Sequence, residues 1–454
     1  MMRGWVSRPH LWLLGLLLLA GCSTHAKRLM EPRNLFHDNQ LEDCRVRLEK
    51  LSQTKRTDRD VAALDLAMVE LISGQPRMAE QRLREVRDRF DYLEQDSLTE
   101  KTVSIWTDDQ QRAYAGEDYE KILLRAFLAL SNLMHDGGDA ESYSLQLDEK
   151  REQLTAQAIE RYGPEVEQRY PQVPLGYYLR GMLREATFRD YDDAASNYQR
   201  VCELCPQYLP FQWDFQRART GVHSTTGAGV LYVFALVGRG PMKVEVEEEP
   251  TSGALLIADR IVSAVGPYSV PPTLAAIKVP DIHLPPISID GVGVSINRQT
   301  IGPTASLANI EQLALSTYQA NRQAIVARAV ARRVIKKASI VAAKTTMNED
   351  PWTSLAMDAA GVVWEATEAA DTRCWGLLPR DIQVLRVELP CGTHQIGLTP
   401  WLRQRPAGGT VQASVTIVDG RNSYLLCCFP DSRLVGQIVT GPATLTAAGM
   451  SSQP

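Results

Sequence analysis

Between residues 38 and 215 the apolar side chains recur at intervals of three and four, the spacing that places them on one face of an α-helix. Each such helix carries an apolar stripe that it cannot cover alone, so the segment must fold by packing helix on helix. It is also written in repeating phrases. The clearest runs Tyr177-Tyr-Leu-Arg-Gly181, loops at Arg189-Asp190, continues Tyr191-Asp-Asp-Ala194-Ala-Ser-Asn-Tyr198-Gln-Arg-Val201 and closes at Pro206. A second covers Val61 to Phe90, with Ala67, a turn at Gly74-Gln-Pro76, and Ala79, Leu83 and Val86 at the spacing of Ala194, Tyr198 and Val201. A third, looser phrase begins at Tyr119, turns at Asp136-Gly-Gly-Asp139 and runs on to Tyr162.

The phrase resembles a tetratricopeptide repeat. The resemblance implies that Gly181 is the small residue where two helices approach closely. Ala194 is then the small residue of the second helix, Tyr198 its packing aromatic and Pro206 its terminator, with Ala79 and Leu83 as counterparts one copy earlier. One helical hairpin leaves an apolar face uncovered, so neighbouring hairpins stack and share a core. A stacked array of this kind offers a concave groove, whose expected occupant is a protein or peptide partner. Asp118-Tyr119-Glu120, after Ala113-Tyr114, reads as a helix start with acids near the positive end of the dipole.

The amino end predicts export. Arg3 and Arg8 precede a short apolar run, Leu11 to Leu19, which is too brief for a permanent membrane helix. Leu19-Ala20-Gly21-Cys22 resembles the bacterial lipobox, which implies diacylglycerol on the Cys22 thiol and cleavage just before it. Ser23 in place of Asp points, by analogy with lipoprotein sorting, to the outer membrane facing the periplasm. Removing residues 1–21 removes two arginines and takes the formal net charge from −5 to −7. That balance gives no bulk attraction to nucleic acid, so membrane attachment is expected through the lipid.

After Thr220 the pattern changes. Val230 to Val237 is an apolar run of strand formers, and Met242 to Glu247 alternates as a half-exposed strand does. Residues 267–286 carry six prolines and read as an extended connector or, alternatively, as an edge added to a partner's sheet. A long helix is expected from Leu307 to Lys344, with a basic face along Arg328, Arg332, Arg333, Lys336 and Lys337. Ser354 to Ala370 reads as its acidic helical partner, the alternative being contact of the basic face with anionic lipid. In the last segment Ile382 to Leu389 alternates and turns at Pro390-Cys-Gly-Thr393, in a phrase similar to the strand-turn-strand of surface-associated β modules. Asp419-Gly420-Arg-Asn422 between Val411–Val418 and Ser423–Phe429 is a hairpin signal.

The predicted architecture is therefore an α+β multidomain chain. It comprises a signal peptide (1–21), a tether (22–37), tetratricopeptide-like helical repeats (38–220), a strand and proline-rich connector (221–306), a helical pair (307–372) and a small β-sandwich (373–450). This order resembles an uncharacterised family of bacterial lipoproteins with tetratricopeptide-like repeats. The residues that carry the resemblance are the lipobox, Gly240-Pro-Met-Lys243, Ala327-Arg-Ala-Val-Ala-Arg332 and Asp371-Thr-Arg-Cys-Trp-Gly-Leu-Leu-Pro379. The resemblance implies no assigned enzymatic activity and a place in cell-envelope assembly.

Beside Cys22 stand seven cysteines, an odd number, so at least one stays free or pairs between chains. Cys202-Glu-Leu-Cys205 ends a helix instead of starting one, against a redox role, and no second pair completes a zinc set. Adjacent Cys427 and Cys428 point to opposite faces of a strand, which disfavours a metal site with Cys391 and His394. A disulfide to Cys374 or Cys391 is the expectation for one of them. No nucleophile elbow, metalloprotease helix or phosphate-binding loop is present. The chain is thus expected to be a non-catalytic scaffold without catalytic residues, metal or cofactor. The alternative is an envelope enzyme acting on cell-wall material.

Overall fold

The computed structural model describes residues 25–54, 57–99, 113–266, 268–271, 275–346 and 369–442. Cys22 and the signal segment lie outside them, as does all but the end of the expected acidic helix Ser354–Ala370. The chain is a mixed α+β structure in which helices come first and strands dominate after residue 227.

Among the described residues, nine α-helices form the first part: α1 (His25–His37), α2 (Leu41–Ser52), α3 (Arg59–Ile72), α4 (Pro76–Thr99), α5 (Asp118–Leu133), α6 (Ala140–Tyr162), α7 (Pro174–Glu185), α8 (Tyr191–Leu204) and α9 (Leu209–Arg219). Each packs against the next in sequence, so the hairpins stack as an array. Proline opens α4 and α7, where a missing N–H costs nothing. The expected tether is corrected from residue 25 onward: α1 is helical through Pro32 and buries Leu29 and Phe36 in the array's core. Gly181 lies against Tyr198, whose ring would stand 2.9 Å from a Cβ there. Ala79, Leu83, Ala194 and Tyr198 are all buried, and Pro206 follows the end of α8.

α3 and α5 differ from ordinary surface helices. Asp60 to Ile72 and Tyr119 to Leu133 are buried on every side. A helix covered all round needs neighbours on both flanks, and the second flank is a β-sheet. That sheet runs β12 (Val439–Gly441), β11 (Asn422–Phe429), β1 (Ala228–Arg239), β7 (Pro379–Pro390), β6 (Ala305–Asn309). Its centre, β1, pairs parallel with β11 and antiparallel with β7 and is buried from Ala228 to Gly238. The alternation along β1 divides two cores: Val230, Tyr232, Phe234 and Leu236 face the helices, while Leu231, Val233, Ala235 and Val237 face a second sheet.

The second sheet runs β10 (Val411–Ile417), β8 (Gly392–Leu402), β4 (Gly291–Ile296), β5 (Gln299–Pro303), with β9 (Arg405–Pro406) beside β8. The expected sandwich exists, but its sheets draw β1, β4, β5 and β6 from residues 228–309, outside the boundaries 373–450. The expected hairpin at Asp419-Gly420 is also corrected. β10 pairs with β8, and β11 pairs with β1 and β12. Val415 and Ile417 share one core with Leu425, Cys427 and Phe429, so the chain arches from sheet to sheet instead of pairing with itself. The Pro390-Cys-Gly392 turn does the same between β7 and β8. Two tight hairpins occur elsewhere, at Asn297-Arg298 and Arg403-Gln404, where both central residues take positive φ without glycine.

A smaller unit projects beside the array. β2 (Met242–Glu248) and β3 (Ile277–His283) form a two-stranded ribbon, α10 spans Ser252–Val265 and α11 spans Ile310–Thr346. Pro280 fits because no strand among the described residues pairs with β3 on its other edge. The region expected as strand and connector thus contains a helix. Thr251 caps it by accepting from Ala254 N at 3.3 Å, and Ala254, Ala258 and Val262 pack on Val326, Ala327, Val330 and Ala331 of α11. No helix among the described residues is long and apolar enough to cross a membrane.

Candidate binding cleft

The groove of the helical array is filled by the chain itself. Residues 371–378 run between α1, α3 and α5, turning at Gly376-Leu377 before entering β7, and Cys374, Trp375, Leu377 and Leu378 are buried. Trp375 N donates to Glu120 Oε1 at 2.7 Å and Leu377 N to Asp65 Oδ1 at 3.1 Å. Arg33 links the two sides, donating to Asp65 Oδ2 at 2.7 Å and to the Cys374 carbonyl at 2.6 Å. The Trp375 ring is fully buried, tilted on Phe127 with centroids 5.3 Å apart. The place predicted for a partner peptide is therefore taken, and the occupant continues into a central strand.

Glu120 anchors this segment. It also accepts from Tyr114 Oη at 2.5 Å, Tyr119 Oη at 3.1 Å and Glu117 N at 3.2 Å, the last being the back-bond of a capping box at the start of α5. Burial, reinforced by the nearby Glu117 carboxylate, pushes its carboxyl up to about 7 against the favourable pull of these donors. Asp118-Tyr119-Glu120 is indeed a helix start, yet Glu120 points inward. Helical spacing alone did not reveal that its ligand comes from residue 375.

Where the segment emerges, a cleft of about 460 Å³ opens between the array and the projecting unit. Three segments distant in sequence meet here, through Lys243, then Arg328 and Arg332, then Asp371 and Arg373. Its walls are charged and mostly paired. Lys243 Nζ lies 2.7 Å from Glu117, Lys121 Nζ 2.7 Å from Glu94, Lys278 Nζ 3.3 Å from Glu245, and Arg373 2.7 Å from Asp371. Burial alone would lower the Lys243 ammonium, but Glu117 and Asp371 hold it above its ordinary value. Burial would raise the Asp371 carboxyl, but the Arg373 hydrogen bonds and Lys243 keep it below. Arg373 further lies over the Tyr114 ring, 5.2 Å from its centroid. Two cations at the mouth, Arg161 on α6 and Arg328 on α11, are exposed and meet no carboxylate among the described residues.

A second depression, of about 540 Å³, lies over α4 and α6, but it is more open, and of its cations Arg125 and Lys150 are tied to Asp91 and Arg87 to Asp88. The seven described cysteines are all free. The disulfide expected for Cys427 or Cys428 is absent because Cys427 faces the inter-sheet core, Cys428 faces the helices, Cys374 is in the groove and Cys391 is exposed. No cluster of three metal-ligating side chains occurs among the described residues. At the open end of the array, α9 leaves Leu209 57% and Trp213 66% exposed, four residues apart on one face.

No family model, curated protein or solved structure matched this chain.

Proposed function

We propose that the chain is a lipid-anchored, non-catalytic scaffold of the bacterial cell envelope, tethered through an acylated Cys22, with hairpins of tetratricopeptide-like type as its rigid body. Because the groove is occupied internally, the protein or peptide partner meets the outside of the array. The observation that carries this is the uncovered face of α9. A stacked array ordinarily closes on a polar terminal helix, whereas here a tryptophan and a leucine stand in solvent, the residue types that anchor interfaces. The outer membrane, on its periplasmic face, is the proposed location, with cell-envelope assembly as the process.

Membrane fractionation and cross-linking test both halves. Wild-type chain should partition with envelope membranes and Cys22→Ala should become soluble. A photo-crosslinking residue at position 213 should give a discrete protein adduct that the same residue at exposed Glu31 does not. A Cys22→Ala chain that stays membrane-bound, or identical patterns from both sites, contradicts the reading.

A further inference from the structure

We propose that the chain pairs with a second copy of itself along the free edge of β10, through a two-fold antiparallel ladder centred on Ser414. An uncovered strand is a template for another chain, and folded proteins blunt such edges with brevity, bulges, proline or charge. Most edges of this fold are blunted in that way. β12 is three residues long. β5 ends in Pro303 and meets β4 through a bulge, and β6 meets β7 through another. In the ribbon, β2 carries Lys243, Glu245, Glu247 and Glu248, and β3 carries Lys278, Pro280 and Asp281. β10 has none of these protections. It runs seven residues in unbroken register with β8, and from Ala407 to Val418 the sequence holds neither a charge nor a proline.

The register fixes which backbone groups face outward. Gln395 of β8 accepts from Asn297 N at 2.8 Å and donates its own N–H to the Asn297 side chain at 3.0 Å, so its backbone turns toward β4. Backbone direction alternates along a strand. His394, Ile396 and Leu398 therefore turn toward β10, where they face Val415, Ala413 and Val411. Gln412, Ser414 and Thr416 are left pointing away from the sheet. The Thr416 carbonyl accepts from Ser423 Oγ at 3.4 Å, while the backbone groups of Gln412 and Ser414 meet no partner among the described residues. A second β10 laid antiparallel about Ser414 satisfies these groups by symmetry. Ser414 faces its own copy and Gln412 faces the partner's Thr416, each facing pair exchanging two N–H···O bonds. Their exposed side chains set hydroxyls and amides side by side, pairs that favour sheets. Val411 and Ala413, half-buried at the rim of the inter-sheet core, gain cover. Charge selects the occupant. The chain carries −5, so two copies approach most easily along a strip without charge, whereas a charged peptide would find no counter-ion there. A single strand edge is narrower than the ~800 Å² per partner of a standard interface, so the dimer is weak and concentration-dependent.

The test uses the full chain in non-ionic detergent. For cross-linking, the exposed Cys391 is replaced by serine. Ser414→Cys then sets two thiols opposite each other within disulfide reach, and copper-catalysed air oxidation should give a covalent dimer on non-reducing gels. Gln412→Cys, equally exposed, would lie about 13 Å from its own copy and should give far less. Sedimentation velocity reads the association without a cross-link. Wild type should shift toward dimer as concentration rises. Ser414→Lys and Ser414→Glu, which place like charges opposite each other, should each weaken association roughly tenfold, and an equimolar mixture of the two should dimerise again. Circular dichroism should not change, because the side chain is exposed. A monomer at every concentration, equal cross-linking at 412 and 414, or a mixture no more dimeric than its parts overturns the proposal. Oxidation of intact cells carrying the Ser414→Cys chain tests the occupant: a covalent homodimer supports it, and an adduct with a different protein in place of the dimer overturns it. None of these readouts involves α9 or Cys22, so failure here leaves the proposed function standing.

Discussion

The backbone N–H of Trp375 donates to the Glu120 carboxylate at 2.7 Å across 255 positions of sequence. One bond thus ties the chain entering β7 to the first turn of α5, and sheet and helical array share a core around it. Four donors converge on that carboxylate, and losing it strands all of them.

Glu120→Ala should therefore destabilise the fold by about 3 kcal/mol or more, since each buried donor left without an acceptor costs about 1–3 kcal/mol. Glu120→Gln, which keeps one oxygen, should cost less. Urea unfolding of both variants reads the difference, and a Glu120→Ala cost below about 0.5 kcal/mol would show that the segment is held by packing alone.

The pH dependence has a definite sign. With its carboxyl pushed up to about 7 in the folded chain, Glu120 keeps its proton through a range where the unfolded chain, at the ordinary 4.5, has lost it. Its contribution is thus fully present below pH 4.5 and declines as pH rises to 7, by roughly 3 kcal/mol in all. Asp381, pushed up to about 6 mainly by burial, acts in the same direction. His37, pulled down to about 4 mainly by burial, acts oppositely and weakens the fold as pH falls below its ordinary value. Stability against pH for wild type minus that for Glu120→Gln isolates the first effect. It should slope downward from pH 4.5 to 7, and a flat difference would contradict it.

Gly181→Ala should destabilise by about 1 kcal/mol. The new Cβ would stand 2.9 Å from the Tyr198 ring, inside contact distance, and overpacking costs about 1–3 kcal/mol, less up to about 1 kcal/mol of gained helix propensity. A shift in melting temperature to a higher value would mean that α7 and α8 separate without penalty.

Arg217 lies between two buried carboxylates, bonding Glu185 at 2.6 and 2.9 Å and Asp214 at 2.6 Å. Arg217→Met leaves both without a cation from that side chain and should cost about 3–5 kcal/mol. Chemical denaturation checks it, and a loss under 1 kcal/mol would show that Tyr198 and Tyr178, which also bond these carboxylates, suffice.

The elements legible in the sequence were those whose partners lie nearby. Gly181, Ala194 and Tyr198 mark a helical hairpin because the residues they touch are within one phrase, and α11 begins within three residues of where its periodicity predicts. The strands of the sandwich were legible too, from their alternation. Their pairing was not. Asp419-Gly420 has hairpin chemistry, but turn residues fix the bend and not which sheet receives the next strand. α10 hid behind Ile and Val that read equally as strand, and its evidence, Ala254, Ala258 and Val262, has meaning only against α11. The groove segment was the least legible. Asp371 to Leu378 has no period, and Glu120 looks like any acid in a first helical turn until Trp375 arrives from the other half of the chain.

Hydrogen exchange at the amides of Trp375 and Leu377 tests most directly the claim that the array's groove is permanently occupied by its own chain. Both are bonded to buried carboxylates and lead straight into β7, so they should exchange only through global unfolding, with the same free energy as the amides of β1. Exchange within seconds in the native protein would show that the segment leaves the groove, and that the groove itself is open to a partner.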